Sequence, residues 1–150
     1  MAAIALHGHR TDQSTKSGHV TYDIYRYEDD PRDGWYYSSS GSTGALITGT
    51  ISSSSGSVFV NGTPICTVGD AVNETWVASP SVPSNSSYTE YRHVTPGTSG
   101  SGQGEITEGN AANVYMNGKL IAVQGSTVTT HLGTTTKING GNSTVMIGSS

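Results

Sequence analysis

One phrase in the chain is written twice. Ser57 to Asp70, SVFVNGTPICTVGD, recurs 56 positions later as Asn113 to Ser126, NVYMNGKLIAVQGS. Val58 falls on Val114, Phe59 on Tyr115, Val60 on Met116, and Asn61-Gly62 on Asn117-Gly118; further on, Ile65 meets Ile121 and Gly69 meets Gly125. Each copy reads as a short apolar strand, an Asn-Gly turn and a second short strand. Asn-Gly flanked by apolar residues is a strong hairpin signal, because both central residues of such a turn take positive φ. Repetition of this kind dictates architecture before any local propensity does.

A third copy is divided between the chain ends. Ile4-Ala5-Leu6-His7-Gly8 aligns with Ile121-Ala122-Val123-Gln124-Gly125 and with Ile65-Cys66-Thr67-Val68-Gly69, which supplies only the second half of the phrase. The first half stands at the other end, where Val145-Met146-Ile147 aligns with Val114-Tyr115-Met116. Two whole units and one split unit imply that the termini meet and close a ring. A closed arrangement leaves no unpaired strand edge and needs no capping repeats. The expected fold is therefore all-β: a single-chain cone of three quasi-equivalent short hairpins with pseudo-threefold symmetry.

The connections are unequal. Residues 1–150 read as one domain with long insertions at about 20–46 and 71–104, both rich in Tyr and Trp. VTYDIYRY, beginning at Val20, alternates like a strand or arm. Glu28 to Gly34, with Pro31, is a turn cluster, and Ala45 to Ile51 is a short strand leading into the serine run Ser52 to Ser55. Gly97 to Gly104 has the composition of a flexible loop. No window carries an apolar stripe at helical period, so no helix is expected. With only seven Lys plus Arg, scattered, and a net charge of -4, a nucleic-acid surface is not supported. One cysteine, Cys66, excludes an intrachain disulfide framework. The N-terminus lacks the layout of a signal peptide, so a chain made in the cytoplasm would leave the cell by another route.

The repeated phrases VFVNGTPICTVGD and VYMNGKLIAVQG resemble the core phrase of PAAR-domain proteins, in which an Asn-Gly turn precedes a Pro-Ala-Ala-Arg-like segment and Gly-Asp. Pro64, Val68, Gly69 and Asp70 keep that pattern, whereas the Ala-Ala-Arg letters are absent; the second copy has Leu120 and Ser126 at the proline and aspartate positions. Asn61, Gly62, Gly69, Asp70, Asn117, Gly118 and Gly125 are the residues that carry the repeat. The resemblance implies a non-enzymatic spike tip of a phage tail or type VI secretion system. As a monomer it would cap a trimeric β-helical spike (VgrG-like or a phage hub-spike) and touch the target envelope transiently, so it would be carried outside by the contractile injection machine.

The same resemblance implies a structural metal, commonly zinc. His19, His93 and His131 each follow a Gly-Asp-type corner, and a threefold arrangement could converge them as imidazole ligands. The alternative is that all five histidines are ordinary surface or hydrogen-bonding groups. Cys66 sits in the slot filled by Ala5 and Ala122 and reads as packing rather than as a ligand. Asp23, Glu28, Asp29 and Asp30 read as a solvated face. There is no His-Glu-x-x-His, and the Gly-rich pieces lack the lysine of a phosphate loop. Two rival functions remain: a carbohydrate- or surface-binding β module using the aromatic excursions around Trp35 and Trp76, and a small zinc hydrolase built on the three histidines.

Overall fold

The computed structural model describes residues 2–29, 33–54 and 58–148. Pro31 of the turn cluster, Ser55 of the serine run and Ser57 at the start of the first repeat lie outside the described residues. Thirteen strands and no helix occur among the described residues: β1 (Ala2–Ile4), β2 (Ser14–Glu28), β3 (Gly34–Ile51), β4 (Phe59–Val60), β5 (Thr63–Pro64), β6 (Ala71–Ser79), β7 (Thr89–Thr95), β8 (Ser99–Ile106), β9 (Tyr115–Met116), β10 (Lys119–Leu120), β11 (Thr127–Thr129), β12 (Thr135–Lys137) and β13 (Asn142–Ile147). The all-β expectation holds. The chain divides into two compact units, residues 1–14, 47–75 and 101–150 in the first, residues 15–46 and 76–100 in the second. The second unit is thus assembled from the two aromatic excursions, and β2, β3, β6 and β8 contribute residues to both units.

In the first unit the Asn-Gly turns behave as their chemistry requires. Asn61 and Gly62 have φ of 51° and 84°, Asn117 and Gly118 have 52° and 78°, and each pair joins a two-residue hairpin. Both residues in positive φ define the turn whose twist matches that of the strands it connects. The pairings Phe59↔Pro64 and Tyr115↔Leu120 have a counterpart in Met146↔Ala3, where β13 meets β1 across the chain ends.

The three second halves are joined in a ring. Ala5 N–H donates to the Ala122 carbonyl at 3.0 Å, Ala122 N–H to Cys66 at 2.8 Å, and Cys66 N–H to Ala5 at 3.0 Å. A second cycle surrounds it: His7 N–H donates to Pro64 O, Val68 N–H to Leu120 O and Gln124 N–H to Ala3 O, at 2.8–2.9 Å. Each segment then turns at a glycine, Gly8, Gly69 or Gly125, with φ of 95°, 96° and 95°. Those three N–H groups donate to the carbonyls of Ile51, Ile106 and Ile138, which end the approach segments.

Side chains stack on this ring in two apolar clusters. Ala5, Cys66 and Ala122 lie with Ile51, Ile106, Ile138, Val72 and Val128 in one; Ile4, Ile65 and Ile121 lie with Leu6, Val123, Met116 and Ile147 in the other. Burying each isoleucine contributes about 1.5–3 kcal/mol, so a small set of repeated positions supplies the apolar core of a chain that is only 33% hydrophobic.

The Gly-rich stretch expected to be a loop is a strand. Gly100, Gly102 and Gly104 alternate along β8, and each accommodates a group that a side chain would strike. A Cβ on Gly102 would lie 2.3 Å from His131 Cδ2, one on Gly104 2.6 Å from the Thr129 carbonyl, and one on Gly100 2.6 Å from Trp76 Nε1. Glycine at period two in a strand marks close approach rather than flexibility. In the second unit β2 pairs antiparallel with β7, matching Ile24 with Tyr91 and Tyr25 with Glu90. Val20 and Ala45 are fully buried there, and Trp76 meets the edge of His19 with ring centroids 4.8 Å apart.

Because two of the three equivalent ring positions are alanine, Cys66→Ala is expected to cost less than about 1.5 kcal/mol, whereas Cys66→Leu overpacks the fully buried slot and costs about 1–3 kcal/mol. Urea denaturation of the two variants beside the parent protein measures both.

Candidate functional site

Three hairpins of the first unit present large apolar side chains outward at equivalent positions. Phe59, Tyr115 and Met146 are 53%, 56% and 42% exposed, and Val58 and Val114 beside them are exposed as well. Their placement is fixed from below. Of the next residues in each strand, Met116 and Ile147 belong to the buried cluster under the rim, and half-buried Val60 packs against it. Ile65 N–H donates to Val58 O and Ile121 N–H to Val114 O, both at 3.0 Å. Asn110 adds a clamp in the second copy: its amide donates to the Val114 and Ile121 carbonyls at 2.8 and 2.9 Å, while Oδ1 accepts from Ala112 and Val114 N–H. Half-exposed rings held on a rigid backbone gain free energy when another apolar surface covers them.

The corner after each ring segment is closed by a side chain, and the three copies use different chemistry for one task. Thr67 N–H donates to Asp70 Oδ2 at 2.8 Å, Val123 N–H to Ser126 Oγ at 2.9 Å, and Leu6 N–H to His9 Nδ1 at 3.1 Å. Asp70, expected from the repeat, also accepts from Ser54 Oγ at 2.6 Å. His9 is the member that sequence comparison by letter misses; its offset from Gly8 is the signal, matching Asp70 after Gly69 and Ser126 after Gly125. Burial pushes the Cys66 thiol up to about 12, reinforced by the Asp70 carboxylate. At neutral pH Cys66 is therefore a protonated, packed thiol, as its alanine equivalents imply.

The three histidines expected to share zinc are each engaged elsewhere. His19 packs on Trp76, His93 Nδ1 lies 2.8 Å from Asp23 Oδ2, and His131 Nδ1 lies 2.6 Å from Glu74 Oε1. His19 and His93 belong to the second unit and His131 to the first. Among the described residues no three His, Cys, Asp or Glu side chains are grouped to hold a metal ion.

The Glu74–His131 pair has no counterpart in the sequence reading. Glu74 lies in β6 on the buried phase of Val72, Glu74 and Trp76, and its Oε1 accepts from both the backbone N–H and the ring Nδ1–H of His131. Oε2 and the His131 Nε2 are buried with no hydrogen-bond partner among the described residues. The signal was a carboxylate in the apolar phase of an alternating strand; its partner lies 57 positions away and nothing local marks it. Two open clefts of about 470 and 590 Å³ in the first unit are lined by residues such as Gln103, Thr129, Thr48 and Asn139, with no histidine or cysteine in either lining.

Comparison with protein-family models, with curated proteins and with solved structures finds no match for this chain.

His9 makes the corner pH-dependent. Burial holds its imidazole below the ordinary value of about 6.5, and only the unprotonated Nδ1 can accept from Leu6. The unfolded chain takes up this proton at a higher pH than the folded chain, so the stability contributed is full above the unfolded pKa and is lost as pH falls through about 6.5 towards the lower folded value. His9→Ser, which installs the acceptor found at Ser126, is expected to flatten this acid limb. Urea midpoints collected between about pH 7 and about pH 5 compare the slopes of the two proteins.

Proposed function

We propose that the chain is a structural tip that caps a trimeric partner, one copy per trimer, with the apolar rim of its three hairpins as the docking surface. The observation that carries this reading is the recurrence of Phe59, Tyr115 and Met146, exposed to similar degree on three hairpins joined by one cyclic hydrogen-bond ring. A single chain that repeats one apolar contact three times around a ring matches a partner that repeats its own surface three times. Covering about 100 Å² on each of these side chains contributes roughly 2–3 kcal/mol per site before the cost of association.

The resemblance of the repeated phrase to PAAR-domain sequences adds the class of partner, the blunt end of a trimeric β-helical spike in a contractile injection machine. The role proposed is mechanical and not catalytic. Backbone hydrogen bonds that close on themselves spread axial load around the ring, and the segments that follow β1, β5 and β10 all take part in it. Zinc has no part in this proposal.

The test is co-expression with a trimeric β-helical spike protein and mass measurement of the purified complex. One copy of this chain per three spike chains is expected. Phe59→Glu combined with Tyr115→Glu should abolish the complex while leaving the far-ultraviolet circular dichroism and the unfolding midpoint unchanged. Equal stoichiometry, or a complex that survives the double substitution, would refute rim docking.

A further inference from the structure

The second unit carries an aromatic face of different character. The β2–β7 register sets Asp23 opposite Arg92 and Tyr25 opposite Glu90, placing these four on one side of the sheet, with Ile24 and Tyr91 on the other. At His93 the strand bulges: φ is 57°, and the pairing slips between Thr21 and Asp23. A bulge re-aims side chains, and here it sends two consecutive residues to the same face. The Arg92 guanidinium lies 4.3 Å over the Tyr25 ring, and the His93 ring meets Tyr25 edge-on at 5.9 Å while its Nδ1 contacts Asp23. Tyr27 stands between Trp35 and Tyr88, at 5.5 and 6.0 Å between centroids, and Tyr37 abuts Tyr25 at 5.9 Å. Tyr37 and Tyr88 remain 54% and 58% exposed.

We propose that this face is a binding platform for an uncharged polysaccharide. The two exposed tyrosines offer flat apolar surface to the C–H side of a pyranose ring. Tyr25 holds Tyr37 edge-on and Tyr27 packs on Tyr88 at a tilt, so little side-chain freedom is lost on stacking. Carboxylates, a guanidinium and an imidazole lie among the rings, giving both acceptors and donors for sugar hydroxyls. Charge argues against anionic ligands: Glu90 binds Arg92 at 2.7 Å, and the unit holds six acidic residues to four basic ones. Such a surface does not attract phosphate or sulfate. An apolar protein anchor is disfavoured too, because it would strip water from the Asp23–His93 and Glu90–Arg92 pairs. The proposal is independent of rim docking, since it uses residues of the other unit only.

The full-length chain is applied to an array of neutral oligosaccharides derived from cellulose, chitin, mannan and galactan, beside sulfated, sialylated and phosphorylated glycans. The best neutral oligosaccharide is then titrated by calorimetry. Neutral glycans are expected to bind, with Tyr37→Ala and Tyr88→Ala each lowering affinity about tenfold. Arg26→Ala, on the opposite face against Ser38 and Thr89, should leave affinity unchanged. Tryptophan fluorescence of the unsubstituted protein gives a second readout, because Trp35 belongs to the platform and should respond to the bound sugar. Absence of any neutral ligand, preference for the anionic glycans, or affinity indifferent to both tyrosines would overturn the proposal.

Discussion

Three backbone N–H groups, those of Ala5, Cys66 and Ala122, donate in a circle to one another's carbonyls, and the first unit depends on that circle. Small side chains at these positions are its precondition. A Cβ and little more fits at each, so the ring can close and the isoleucines of the adjoining layers can reach one another. Hydrogen bonds of this kind contribute only about 0.5–1.5 kcal/mol each, but a buried donor left unmade costs more. Losing one member of the circle therefore disturbs all three.

Repetition made much of this unit legible in the chain. The Asn-Gly turns, the pairing of the termini and the alanine-like role of Cys66 follow from aligning three phrases, because equivalent positions in a ring must satisfy equivalent sterics. The register of Phe59, Tyr115 and Met146 was visible for the same reason. Their exposure was not. In Val58-Phe59-Val60 three apolar residues stand in a row, and a run of that kind does not say which member faces the core. The corner acceptors were legible only by offset from the glycine, since histidine, aspartate and serine share no letter pattern but share a hydrogen-bond acceptor.

The second unit, by contrast, was hidden by composition. In the sequence β6, β7 and most of β8 look like one polar excursion, and the strand legible from Ala45 begins at Gly34 as β3. Non-local partners decide these strands. Glycine at positions 100, 102 and 104 looks like flexibility until Trp76, His131 and Glu74 are known to lie against those positions. The histidines show the same dependence on non-local partners: His19 and His93 sit on β2 and β7, which pair with each other.

The buried Glu74–His131 pair shows how one requirement propagates. A carboxylate with no exposed side-chain surface is tolerated only if hydrogen-bonded, and His131 supplies both donors. Bringing the imidazole to that depth requires empty space on β8, which Gly102 provides, and a carboxylate oxygen near the backbone requires the same of Gly104. Two of the three alternating glycines of β8, Gly102 and Gly104, thus answer to one buried carboxyl group in β6, while Gly100 makes room for Trp76. Replacing both partners by apolar residues of similar shape would remove that requirement, which is why the pair is better understood as fixing the register of β6, β8 and the segment after β11 than as a source of net stability.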